Sequence, residues 1–218
     1  MEKRKIYKTE LVQEIGAFYG ALLTDYDRFS TIKDHLSALA SRMWEGVQAE
    51  NKAVLSEIAN YHWDHLGKSA TTLKKAALTE ADCQKAIANE YGFRRWTEVQ
   101  HVTIPYNIPF ENLVDAMLTG DLEQVKSTLS ENKDLVNIKS NYGHRATLLH
   151  YAASNGVELW RQKVPMNLPV ILKYLSDQGI NKKAKMKVYN GEYTATELLL
   201  SSAHPFEAGL IDELRPLF

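Results

Sequence analysis

Residues 147–156, Thr-Leu-Leu-His-Tyr-Ala-Ala-Ser-Asn-Gly, place a threonine, two leucines, a histidine, an alanine pair and a glycine in ten positions. Turn signals recur on either side: Thr119-Gly120-Asp121, Asn141-Tyr142-Gly143, Asn155-Gly156 and Asn190-Gly191. The blocks between them are helix-sized but short, so paired short helices are expected after Pro105. Asn190-Gly191, flanked by Val188, Tyr189, Tyr193 and Thr194, reads as a two-residue hairpin turn, because both central positions tolerate positive φ. A small β finger is therefore expected there.

Upstream of this region, TIPYNIP (residues 103–109) carries two prolines that disfavour helix, and a boundary is placed at 104/105. The chain before it reads as helices. Leu11, Ile15, Phe18, Tyr19 and Leu22 share one helical face. Phe29, Ile32, Leu36, Leu39, Met43, Trp44 and Val47 form a second stripe, with Thr31 and Asp34 at capping-box spacing. Asn51 caps a third helix whose stripe, Val54, Leu55, Ile58, Ala59, Trp63 and Leu66, runs to Gly67. Thr79 and Asp82 open a fourth, which stops at Gly92, and no strand signal precedes Pro105.

Bulk properties name no partner. Residues 1–104 hold 14 basic and 14 acidic side chains and residues 105–218 hold 12 and 13, so neither part has the positive field that non-specific nucleic-acid binding needs. The single cysteine, Cys83, excludes a disulfide scaffold and points to a reducing compartment, the cytoplasm. The longest apolar run, Ile15 to Leu23, is far short of the roughly 20 residues of a membrane span, and the opening residues lead into no cleavage signal.

The 147–156 stretch resembles the signature of the ankyrin repeat, Thr-Pro-Leu-His-x-Ala. The resemblance implies that Thr147 caps the first helix of a repeat and that Leu148 stands where the family has proline. It further implies that Leu149 faces the core, that His150 bonds backbone of the adjacent finger, and that Ala152 and Ala153 allow close helix approach. Gly156 would close the helix in the left-handed conformation. Two weaker copies flank it. FENLVDAMLTGDLEQVKSTLSENKDLVN aligns Ala116 with Ala152 and Gly120 with Gly156, and Tyr193 to Phe218 aligns Thr194 with Thr147. The long second spacing comes mainly from residues 157–167, inserted in the central repeat. Residues 78–99 resemble the helical segment that precedes repeats in bacterial ankyrin-repeat proteins, with Phe93 and Trp96 as its apolar plug.

The expectation is an all-α protein: an N-terminal helical region, 1–104, whose last helices cap a short irregular array of three repeats, about 108–140, 141–185 and 186–218, with β-finger loops. The resemblance, read from about residue 78 to 218, implies a non-enzymatic module that binds another protein through its fingers and concave face. The expected contacts are Tyr142, His144, Arg145, Tyr189 and Tyr193 in the fingers, with Trp160 and Arg161 in the insertion, since Tyr, Trp and Arg dominate interface hot spots. The lysine-rich run 182–187 reads as a solvated loop or a contact for an acidic partner. No catalytic residue, cofactor or metal is expected, and neither membrane nor nucleic acid as a partner. Two other functions are weighed. His62 and His65 lie three apart with metal-ligand spacing, but the sequence offers no companion ligand motif; with His35 they define a metal-dependent enzyme as the alternative. Residues 78–103, with Arg94 and Arg95, have helix-turn-helix spacing, opposed by Glu90 and Glu98.

Overall fold

The structure, a computed structural model, describes residues 5–218. Helix occupies 62% of it, which places the chain in the all-α class. Two regions are compact in their own right: Glu10–Tyr106, and Asn107–Phe218 together with residues 5–9. Among the described residues no helix is long and apolar enough to cross a membrane.

The first region holds α1 (Glu10–Tyr19), α2 (Ile32–Gln48), α3 (Lys52–Tyr61), α4 (Ala70–Lys75), α5 (Glu80–Glu90) and α6 (Trp96–Gln100). Their starts are chemically marked. Thr31 accepts from the Asp34 amide, Asn51 from the amides of Ala53 and Val54, and Thr79 and Asp82 close a reciprocal box. Each cap satisfies donors that the first turn leaves unpaired. Ile32, Leu36, Leu39 and Met43 of α2 are fully buried, and α5 packs against α2 and α3. The third helix is shorter than its apolar pattern implied. It ends at Tyr61, His62 turns extended (ψ 107°), and His62 Nδ1 accepts from the Asp64 amide to start a separate 3-10 turn. Trp63 is consequently half-buried and Leu66 45% exposed rather than core.

The second region contains α7 (Ile108–Leu118), α8 (Leu122–Glu131), α9 (Leu148–Ala152), α10 (Leu168–Asp177), α11 (Ala195–Ser201), α12 (Ala203–Glu207) and α13 (Ile211–Leu214). α7 packs on α8, α9 and α10, and α9 on α11, around a core that includes Phe110, Leu113, Leu149, Leu172 and Leu199. Each such fully buried side chain contributes roughly 1.5–3 kcal/mol. Gly120 ends α7 with φ 74°, and the Asp121 amide reaches back to Ala116 O at 2.8 Å; Gly179 and Gly209 end α10 and α12 with the same bond pattern.

Two small sheets complete the region. The strands β1 (Ile6–Tyr7) and β2 (Val164–Pro165) pair antiparallel, so a strand does precede Pro105, contrary to the sequence reading. Two residues are too few to show alternation, and the partner strand lies more than 150 residues further along the chain. β3 (Lys185–Val188) and β4 (Gly191–Thr194) form the expected finger. Its loop is Tyr189-Asn190, one residue earlier than Asn190-Gly191, because Tyr189 takes the left-handed conformation (φ 51°) and Gly191 pairs with Val188. Gly191 serves another need: a Cβ there would meet the Tyr193 ring at 2.6 Å.

Candidate functional site

The opening stretch of α9 is held by His150. Thr147 N–H donates to His150 Nδ1 at 3.1 Å, so that nitrogen is the acceptor and Nε2 carries the proton. Nε2 donates to Tyr193 O at 3.2 Å, 43 residues away, tying α9 to the finger. Burial disfavours the charged ring and brings its pKa down to about 4. Leu149, Ala152 and Ala153 are buried. Gly156 does not close the helix. Ser154 takes the left-handed position directly after α9 (φ 54°), and Gly156 (φ 73°) comes two residues later, where a Cβ would approach Val188 Cγ2 to 2.7 Å.

Beside this helix the 140–146 loop folds on itself, Ser140 N–H donating to Ala146 O at 2.7 Å, and it accepts a backbone bond from Lys187 N–H to His144 O at 2.8 Å. Loop and hairpin thus lie side by side. Outward from them project Arg145, itself left-handed (φ 58°), Tyr189 (55% exposed) and Tyr193 (41% exposed), with Lys183, Lys185 and Lys187 exposed along the same finger. Lys187 stands across from Glu192.

Four of the seven expected contacts point the other way. Tyr142 and His144 are buried, Tyr142 N–H donating to Ser140 Oγ at 3.1 Å and His144 Nδ1 accepting from the Ala146 amide at 3.0 Å. Trp160 is buried, and Arg161 is the largest fully buried side chain. Buried in this way, none of the four presents its side chain to a partner: Tyr142 and His144 lie within the 140–146 loop, Trp160 and Arg161 within residues 157–167.

Arg161 is instead the centre of an ionic network. Its Nη1 lies 2.6 Å from Glu111 Oε2 and 3.6 Å from Glu158 Oε1, its Nη2 3.0 Å from Asp115 Oδ1, and its guanidinium lies over the rings of Tyr151 and Trp160. Tyr151 donates to Glu158 Oε1 at 3.2 Å, and His144 Nε2 stands 3.6 Å from the same oxygen. Burial pushes the Glu111 carboxyl up to about 7 despite Arg161. Burial also raises Glu158, but His144 and Arg161 outweigh it and hold the group below the ordinary carboxylate range. The network pins residues 158–161 to α7.

The remaining candidates fall in the first region. His35 is a satisfied core histidine, bonded to Tyr106 Oη at 2.6 Å and Leu22 O at 2.5 Å and stacked on Phe29. Arg94 and Arg95 are exposed at the start of the five-residue α6, where Glu98 accepts from the Arg94 amide and approaches Arg95 at 4.0 Å. Phe93 is buried and Trp96 half-buried. His62 and His65 do meet, their rings 4.3 Å apart, and the fold adds Asp82 beside them. No signal in the spacing of the histidines indicates Asp82, which comes from the first turn of a different helix.

No family model, curated protein or solved structure matches the chain.

Proposed function

We propose that residues 107–218 form a short ankyrin-like array that recognises another protein, one with an acidic segment, through its finger face. The observation that carries the reading is the pair of bonds between successive units, His144 O to Lys187 N–H and His150 Nε2 to Tyr193 O, which set two fingers in one row. Reciprocal caps at Thr147/His150 and Thr194/Glu197, 47 residues apart, support the same repeat. The contact set is reduced to Arg145, Tyr189 and Tyr193, joined by Lys183, Lys185 and Lys187. Two aromatic rings and four cations on a short hairpin and its neighbouring loop offer area and a positive field at little ordering cost. The module itself does no covalent chemistry in this reading.

The test is affinity capture with the wild-type chain against a Tyr189→Ala, Tyr193→Ala, Lys187→Glu variant of equal melting temperature. A protein retained by the wild type and weakened at least tenfold by the variant, with affinity falling as salt rises, is the expected result. Equal retention by both chains overturns the finger assignment.

A further inference from the structure

We propose that His62, His65 and Asp82 form a binding site for one divalent transition-metal ion, zinc by the chemistry of its donors. One ligand atom from each of the three lies within 4.8 Å of the other two. His62 is 98% buried by its 2% exposure, and its Nε2 makes no hydrogen bond; its nearest anionic atom is Asp82 Oδ1 at 3.3 Å. Donors bound to one tetrahedral zinc at about 2.0–2.1 Å sit roughly 3.3 Å apart, so this pair already stands at the separation the ion requires.

The carboxylate is oriented from behind. Thr79 N–H and Thr79 Oγ1 both donate to Asp82 Oδ2, at 2.8 and 2.7 Å, leaving Oδ1 turned to the histidine. Such an outer partner fixes a metal ligand's direction. His65, half-exposed, reaches the cluster from the 3-10 turn, its Nδ1 held at 2.8 Å by Lys68 Nζ on the solvent side. Lys85 is itself occupied by Asp64, so the nearby cation arrives with its own counter-charge. Binding through Nε2 requires the ring proton to move from Nε2 to Nδ1, which then can no longer accept, so the 3.3 Å bond from the Asp64 amide to Nδ1 is what the site gives up. Two imidazoles and one carboxylate leave a fourth position for water, the open arrangement that suits zinc and excludes the oxygen-only cages of calcium and magnesium.

The experiment is calorimetric titration of zinc chloride into the chelator-treated full chain carrying no histidine tag, repeated with cobalt(II) and followed by visible absorption. One ion per chain, tetrahedral cobalt bands, and at least a tenfold weakening in His65→Ala and in Asp82→Asn are expected. Both variants leave the buried His62 in place, and their melting without metal is compared with wild type so that unfolding is not mistaken for lost ligation. Absence of zinc heat and of cobalt bands, or unchanged binding in both folded variants, overturns the site.

Discussion

Among the described residues each region of the molecule buries two glutamates, and the two pairs relieve the resulting repulsion by different means. In the first, Glu57 and Glu90 are 2% and 3% exposed and share a hydrogen bond, with Tyr19 Oη donating to Glu57 Oε2 at 3.0 Å. Burial, then the neighbouring Glu90 charge, drives Glu57 well above the ordinary carboxylate range, so a proton links the pair. In the second, Glu111 and Glu158 are 1% and 0% exposed and an arginine stands between them. A proton leaves when the pH rises, whereas a guanidinium stays charged. The lesson is that equal burial of like charges confers different demands: one pair depends on a proton from solvent, the other chiefly on the single side chain of Arg161.

Removing that side chain has the largest expected effect. Arg161→Met keeps the volume and leaves Glu111 and Glu158 without their cation, and breaking a buried pair in this way costs about 3–5 kcal/mol. Urea unfolding at pH 7 measures it. Adding Glu111→Gln to the same chain is expected to recover part of the loss. A cost under ~1 kcal/mol for Arg161→Met would mean that the network is solvated in solution and that the contrast between the regions is false.

The proton-linked pair is probed by Glu57→Gln, whose amide can donate to Glu90 as the protonated carboxyl does. Because the folded pKa of Glu57 is raised, its contribution is fully present below the ordinary carboxylate value and is lost as pH rises through the folded pKa. Wild type and variant should therefore melt alike in acid, while at pH 9 the variant is more stable by about 1–3 kcal/mol, the penalty of an uncompensated buried polar group. Parallel curves across the whole range would show that the carboxyl pair does not hold a proton.

These networks also mark where the sequence is legible. The caps at Thr31, Asn51 and Thr79 are one-turn interactions between residues two or three apart, and residue type and spacing reveal them; the cap at Thr147 is expected only through the ankyrin resemblance. Tyr142, His144, Trp160 and Arg161 mislead because their type suits an interface although the fold buries them, and for Arg161 the cause is remote: it meets Glu111 and Asp115 across 50 and 46 residues. A long-range ion pair leaves no local period. The same holds for Asp82, which joins His62 and His65 only once α3 and α5 pack, and for β1, whose two residues acquire strand geometry from Val164 and Pro165. Arg145, Tyr189 and Tyr193 stay on the surface because turn geometry, a local property, puts them there.

The smallest expected effect asks how completely the arginine neutralises its glutamates. Glu111 has a folded pKa of about 7, so its stabilisation is complete below the ordinary value near 4.5 and declines as pH rises to 7. His150, at about 4, behaves in reverse: its stabilisation is complete above 6.5 and declines as pH falls toward 4. Between pH 4.5 and 6.5 these two slopes oppose, each bounded by about 1.4 kcal/mol per pH unit. Glu111→Gln removes one of them and leaves every other titrating group common to both chains, so the difference between variant and wild type isolates Glu111. On going from pH 6.5 to 5 the variant should lose about 1–2 kcal/mol relative to wild type, read as a difference in urea midpoints multiplied by a shared slope. A constant difference over that interval would mean that Arg161 holds Glu111 fully ionised, and that the arginine solution needs no help from solvent protons at all.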